Sequence, residues 1–141
     1  MIQYRNFLLS LSVLLLCFCG CSSSDGNIGW VEGVVTLDGA PVEGATVRYY
    51  PASGERGSSG KTDENGHYDL RYTRSQKGAI IGEHKVTIST EVLGDGYGTD
   101  NAPAARTESI PKKYLDPEKT ELTKTVASGN NTFNFDLNSG K

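Results

Sequence analysis

The chain has 141 residues, its formal net charge is −3, and 36% of its residues are hydrophobic. This length suits one domain with its own core. The mild acidity lacks the clustered positive charge of nucleic-acid-binding proteins, so we expect no nucleic-acid partner. All three cysteines lie at positions 17, 19 and 21, and the rest of the chain is therefore predicted to fold without a disulfide.

The N-terminal segment has the pattern of an export signal. A basic residue, Arg5, precedes an apolar run from Phe7 to Phe18. That run is shorter than the about 20 apolar residues of a membrane-spanning helix, and it matches the apolar region of a secretory signal. We therefore predict that the chain is exported, with residues 1–20 as the signal peptide.

The residues around Cys21 resemble a bacterial lipobox, because Phe18-Cys19-Gly20-Cys21 ends in a cysteine and a serine-rich stretch follows. The resemblance implies cleavage between Gly20 and Cys21, acylation of Cys21 and anchoring to membrane lipid through the acyl chains. Ser22, where aspartate would favour inner-membrane retention, implies the outer membrane by the sorting pattern of Gram-negative lipoproteins. An uncleaved signal anchor and a secretory signal without lipid are the alternatives.

The remainder divides into a tether and one domain. Residues 21–29 have the small and polar composition of a flexible tether. From Trp30 onward, apolar and polar residues alternate with period two, and turn-forming residues interrupt the pattern at short intervals. This predicts a single antiparallel all-β domain over residues 30–141, with about seven strands and a long loop near 93–109. An immunoglobulin-like two-sheet sandwich fits best and a small barrel is the alternative, and without a helical crossover we expect no parallel sheet.

The alternation also predicts which side chains form the core. Tyr68, Leu70 and Tyr72 are expected on the inner face of one strand. The predicted strands lie at 30–37, 45–50, 68–72, 85–92, 122–126 and 131–137, with a polar loop at 52–60. Lys124 shares the face of its apolar neighbours, so residues 122–126 are expected to form an edge strand that carries an inward charge.

Two turns are predicted from short motifs. The sequence Leu37-Asp38-Gly39-Ala40-Pro41 combines an aspartate that bonds its own backbone with a glycine that permits positive φ. The dipeptide at positions 65 and 66, Asn-Gly, is typical of a tight hairpin turn, which an aspartate at position 63 can cap.

Three segments carry a family resemblance: GVVTLDGAPVEGATV at 33–47, GKTDENGHY at 60–68 and GEHKVTI at 82–88. Together they resemble the carboxypeptidase regulatory-like domain, which implies a transthyretin-like β-sandwich over about residues 30–92. The later segments 110–115, 120–123 and 129–137 resemble the small lipoproteins of planctomycete bacteria. His84 departs from the family, which usually has tyrosine or another large residue there, and we expect a partly buried histidine with a hydrogen-bond partner.

The chemistry-bearing residues do not form a catalytic pattern, so we expect no enzyme and no cofactor. Zinc hydrolysis needs about three converging protein ligands, whereas the chain has only two histidines, His67 and His84. The nucleophile-elbow motif of serine hydrolases is absent from the sequence. A helical calcium loop that starts at Asp63 would need glutamate at its twelfth position, which is Arg74. We therefore expect no metal site, although weak calcium binding at Asp95 and Asp100 stays open.

The best candidate for a binding surface is the long loop near 93–109, which is either a contact surface or a solvated loop of no function. Tyr97 is its only aromatic residue, and Asp95 and Asp100 are its aspartates. Tyr50 is a further aromatic candidate. We expect a non-catalytic, lipid-anchored cell-envelope protein that acts as a structural or protein-interaction module. The alternative is an extracytoplasmic binding module for glycan or peptide.

Overall fold

The computed structural model describes residues 27–90 and 108–140. In these two ranges the chain forms ten strands and one short 3-10 turn, Lys112–Tyr114. The strands are β1 Ile28–Leu37, β2 Ala40–Pro41, β3 Thr46–Pro51, β4 Ser58–Lys61, β5 His67–Asp69, β6 Ala79–Ile80, β7 Gly82–Ser89, β8 Thr123–Val126, β9 Asn130–Thr132 and β10 Phe135–Leu137. The prediction of an all-β domain is confirmed.

The first sheet is organised around the long strand β1. Three short strands, β6, β5 and β2, pair with it in antiparallel orientation, and two others, β9 and β10, pair with it in parallel. Glu32, for example, lies between Asp69 of β5 and Thr132 of β9. Because β1 is flanked on both sides, its alternating side chains set the faces of the whole sheet.

The parallel pairs correct the sequence-based expectation. β8 belongs to the second sheet, and the turn at residues 127–129 carries the chain across to β9 in the first sheet. The connection that a parallel pair needs is therefore made by passing through the other sheet rather than by a helix. Period-two alternation is the same in parallel and antiparallel strands, so the pattern could not distinguish them.

The second sheet is antiparallel throughout, in the order β4-β3-β7-β8. Residues 58–60 belong to β4 and not to the loop predicted at 52–60, because their backbone pairs with residues 47–49 of β3. β8 lies at the edge, as predicted. Its Lys124 ammonium sits over the rings of Phe133 and Phe135, 5.5 and 5.3 Å from their centroids, so the predicted inward charge is confirmed.

The core lies between the inner faces of the two sheets. The largest fully buried apolar and aromatic side chains come from both sheets: Val31, Val35, Tyr68 and Leu70 from the first sheet and the segment after it, and Val47, Tyr49, Val86, Ile88 and Val126 from the second. Tyr72 is a correction, because the strand ends at Asp69 and Tyr72 is only half-buried in the following segment.

Two buried tyrosines connect the sheets through polar atoms. The hydroxyl oxygens of Tyr49 in β3 and Tyr68 in β5 are 3.2 Å apart, and the Tyr68 hydroxyl donates to the carbonyl of Phe133 at 2.7 Å. Burial raises the pKa of both hydroxyls above the usual value for tyrosine. Both groups therefore stay neutral and hydrogen-bonded, which is the condition for burying them without a large penalty.

Candidate functional site

An open groove of about 350 Å³ lies at one end of the sandwich. Its apolar wall comes from the β1–β2 hairpin and the residues after it, and its polar wall from the end of β7 and the start of the 108–115 segment. The described lining residues are Leu37, Ala40, Pro41, Val42, Glu43, Thr90 and Ser109. Glu43 is the one charged side chain among them, and none of them is aromatic. We call this feature the distal groove.

The hairpin that forms the apolar wall follows directly from its sequence. Asp38 and Gly39 both have positive φ, 50° and 84°, as a two-residue type I′ turn requires. The Asp38 N–H donates to the carbonyl of Leu137, and the Asp38 carboxylate accepts from the Ser139 N–H. The turn predicted at residues 37–41 is confirmed, and β10 holds it in place.

The predicted turn around Asn65-Gly66 is also present. One carboxylate oxygen of Asp63 accepts from the N–H groups of Asn65 and His67, each at 2.9 Å, and Gly66 has φ 75°. The predicted cap is therefore confirmed. The strands that flank this turn enter different sheets, because β4 pairs with β3 and β5 pairs with β1.

The polar wall is held by the carboxylate of Glu108. It accepts hydrogen bonds from the Ser89 hydroxyl at 2.5 Å, from the N–H and hydroxyl of Thr90, and from the Ile110 N–H at 2.8 Å. Burial alone would raise the pKa of Glu108, but these hydrogen bonds outweigh it and lower the pKa from 4.5 to about 2. The carboxylate is thus charged at neutral pH, and it ties the end of β7 to the segment that begins at 108.

The distal groove and the start of the described chain lie at opposite ends of the sandwich. β1 begins at Ile28, and its last residue, Leu37, lines the groove. A strand rises about 3.3 Å per residue, so these ends are about 30 Å apart along β1. The N-terminal end of β1 lies beside the turn at residues 127–129, whose Gly129 carbonyl accepts from the Trp30 N–H.

His84 is buried in the core and not at the groove. Its side chain is 1% exposed, its ring lies 5.6 Å from the Tyr49 ring, and its Nδ1 is 3.0 Å from the Gly82 carbonyl oxygen. The expected hydrogen-bond partner is therefore present. Burial lowers the pKa of His84 from 6.5, and the Gly82 carbonyl offsets only part of that effect.

This burial predicts a loss of stability in mild acid. The pKa of His84 is lower in the folded chain than in the unfolded chain, so the unfolded state takes up the proton first as pH falls below about 6.5. We expect the free energy of unfolding, from urea titrations at pH 7.5 and 5.5, to be smaller at pH 5.5. A His84→Phe variant should show a smaller difference between the two pH values, whereas an exposed-site His67→Gln control should keep the wild-type difference. Equal pH dependence in wild type and His84→Phe would contradict this prediction.

Most of the sequence-predicted site residues fall outside the described ranges. Gly20, Cys21, Asp95, Tyr97 and Asp100 all lie there, so the predictions of cleavage, lipidation and loop binding stay predictions. Tyr50 is described. It is half-buried near the end of β3 and pairs with Lys85, whereas the first residue of β3 pairs with Ser89 near the groove. The structure therefore does not bring Tyr50 to the distal groove.

Sequence reasoning missed a second surface feature, at the N-terminal end of β1. Trp30 is 37% exposed and is the one exposed large hydrophobic side chain in the described part of the chain. Its indole N–H donates to Glu32 at 3.3 Å, the Lys77 ammonium lies 4.8 Å from the ring centroid, and Lys77 pairs with Asp69 at 2.6 Å. We call these four residues the Trp30 patch. The sequence did hold a signal for this exposed side chain, because the alternation that predicts Val31 on the inner face also predicts Trp30 on the outer face.

Within residues 27–90 and 108–140, no three histidine, cysteine or acidic side chains cluster so that they could hold a metal ion. His67 is exposed in the first sheet and His84 is buried in the second, so the two described histidines do not converge. No helix in the same ranges is long and apolar enough to cross a membrane.

The fold and the groove identify the chain as a two-sheet all-β domain with an open groove at one end, and they do not define a narrower class. Comparisons of the chain with protein-family models, with curated proteins and with solved structures give no match. The resemblance to the carboxypeptidase regulatory-like domain therefore stays a prediction.

Proposed function

We propose that this chain is an exported, lipid-anchored protein of the bacterial cell envelope, and that it binds its partner through one end of a transthyretin-like sandwich. In this proposal Cys21 carries the lipid in the outer membrane, and the domain is a non-catalytic interaction module. The observation that carries it is the position of the distal groove, at the end of β1 opposite to Ile28, the strand residue that is nearest to Cys21 in the sequence. An anchor at one end leaves the other end free to meet a partner.

The groove's chemistry favours a protein segment as the partner. Leu37, Pro41 and Val42 offer an apolar wall, and Thr90 and Ser109 add hydroxyl groups beside it. Apolar contacts with a few placed polar groups are typical of sites that receive a side chain or an extended peptide. Sugar rings usually stack on aromatic faces, and the described lining has none. Glu43 would favour a basic residue next to the bound apolar side chain.

The groove is held in shape by the rest of the fold. The type I′ turn fixes the apolar wall, and the Glu108 carboxylate fixes the polar wall through its hydrogen bonds to Thr90 and Ile110. Preorganised walls reduce the ordering cost of binding. This supports a recognition role over that of a passive spacer, for which a defined groove is not required.

Photocrosslinking in intact cells tests the proposal. A photoreactive residue at Ala40, which is exposed on the groove, is compared with one at Thr125, which is exposed on β8. We expect a discrete protein adduct from position 40 only. Glu43→Lys should weaken that adduct about tenfold, because the loss of a favourable contact and the new repulsion at this exposed position together cost about 1–2 kcal/mol. Glu121→Lys, an exposed change elsewhere, should leave it unchanged.

Two results would count against the interaction module. Identical adducts from positions 40 and 125 would show that contact depends on proximity alone. An adduct insensitive to Glu43→Lys would remove the groove from the interaction. Separately, Cys21→Ser should abolish the incorporation of labelled fatty acid into the protein, and wild-type labelling of that variant would overturn the lipid anchor at Cys21.

A further inference from the structure

The Trp30 patch lies close to the proposed anchor in covalent terms. Six residues separate Cys21 from Ile28, the first residue of β1. A chain spans at most about 3.6 Å per residue, so the Cys21 and Ile28 Cα atoms are no more than about 25 Å apart in any conformation. Trp30 follows two residues later. An anchored chain must therefore hold this end of the sandwich near the bilayer surface.

The patch has the chemistry that suits the bilayer–water boundary. Indole combines an apolar ring with an N–H donor, and tryptophan is enriched where membrane proteins meet the headgroups. Lysine and arginine accompany it there, because their stems lie along apolar surface while their charges reach water and phosphate. Lys77 lies over the ring and is paired with Asp69, so the cation that this segment between β5 and β6 offers to phosphate is the exposed Arg74.

The orientation of the indole is fixed before any contact is made. Glu32 accepts a hydrogen bond from the indole N–H. The Lys77 ammonium lies over one face of the ring and forms an ion pair with Asp69. Gly78, next to Lys77, approaches the Gly29 carbonyl so closely that an added Cβ would lie 2.1 Å from the oxygen. The patch therefore rests on main chain that is packed together rather than on a free loop.

We propose that the Trp30 patch is a membrane-docking surface, which sets the exposed part of the Trp30 indole among the phospholipid headgroups of the bilayer that holds the anchor. This inference rests on the lipid anchor of the proposed function. It also orients the molecule. With Trp30 at the bilayer, Leu37 at the distal groove lies about 23 Å further along β1.

The native chain supplies its own probe, because Trp30 is its single tryptophan. The acylated full-length protein is purified from cells and reconstituted in phospholipid vesicles, and flotation establishes that it is membrane-bound. Trp30 emission is then compared in vesicles and, without vesicles, in a chain that begins at Ser22 and so carries neither the lipid nor the signal peptide. Docking should shift the emission to the blue, lower quenching by aqueous acrylamide about twofold, and add quenching by lipids brominated near the headgroup.

A matched variant moves the probe to the other end. Trp30→Phe combined with Ala40→Trp places the only indole on the distal groove, where we expect full acrylamide quenching and no effect of brominated lipid. Brominated-lipid quenching at position 30 alone supports docking through the patch. Equal quenching at both positions would overturn it, since the domain would then lie on the membrane without a preferred face.

The outcomes separate this inference from the proposed function. Protein that floats with vesicles while Trp30 emission stays unchanged keeps the anchor and overturns docking through the patch. Protein that does not float overturns the anchor, and with it the inference that depends on the anchor. A blue shift produced by isolated cell-wall glycan, and not by vesicles, would reassign the patch to glycan binding and overturn membrane docking.

Discussion

Replacing Gly33 by alanine is expected to lower the free energy of unfolding by about 3 kcal/mol, at the upper end of the cost of overpacking a core. A Cβ on Gly33 would lie 1.9 Å from the carbonyl oxygen and 2.6 Å from the carbonyl carbon of Phe133. Both are main-chain atoms. Phe133 cannot easily move away, because its N–H donates to the main-chain carbonyl of Glu32 and its own carbonyl accepts from the buried Tyr68 hydroxyl. Urea unfolding followed by Trp30 emission measures the loss.

Gly129→Ala is the matched control for this prediction. Gly129 has φ 86° and nothing within 4 Å of a built Cβ, so alanine there meets only the left-handed backbone penalty of about 1–2 kcal/mol. We expect Gly33→Ala to be the more damaging change. An effect of Gly33→Ala no larger than that of Gly129→Ala would mean that β1 and Phe133 do not approach this closely in solution.

The inward-facing residues of the strands were predictable, because a strand with one buried face has apolar residues at every second position. Val31 and Val35, and likewise Val86 and Ile88, are buried as the alternation predicts. Lys124 was predictable for the same reason, as a charge on an otherwise apolar face. Asp63 was predictable because its partners are its own neighbours, two and four residues along the chain.

The pairing of the strands was not predictable from the same alternation. Alternation fixes a face but not a neighbour, so the parallel placement of β9 and β10 beside β1 left no sequence signal. Residues 58–60 have the small, polar composition of a loop, and glycine is depleted in strands. Their pairing with β3 overrides that preference, since β3 is already fixed in the sheet by β7.

The distal groove was partly predictable. The turn at Asp38 and Gly39 can be read from the sequence, because two residues with positive φ have a strong compositional preference. The role of Glu108 cannot be read from the sequence, since its partners Ser89 and Thr90 lie 19 and 18 residues earlier in the chain. A glutamate in a glycine- and alanine-rich stretch looks like a solvated charge until the backbone brings those donors to it.

Glu108→Ala is expected to lower the free energy of unfolding at pH 7 by about 2–3 kcal/mol, because it leaves the N–H groups of Thr90 and Ile110 without their charged acceptor. Loss of the carboxylate should also release the Ser89 and Thr90 hydroxyls. Urea unfolding at pH 7 provides the measurement. Glu121→Ala, which removes an exposed glutamate elsewhere, should change stability by no more than about 0.5 kcal/mol.

Glu108→Gln separates the charge of this side chain from its shape. Glutamine keeps one carbonyl oxygen for the two N–H donors, so its cost at pH 7 should be smaller, about 1 kcal/mol. The pKa of Glu108 is about 2 in the folded chain and 4.5 without these hydrogen bonds, so its contribution is present above pH 4.5 and is lost as pH falls towards 2. Wild type should therefore lose more stability than Glu108→Gln between pH 5 and pH 3. Parallel pH profiles for the two proteins would show that the carboxylate is not held in its charged form, and the polar wall of the distal groove would then need another support.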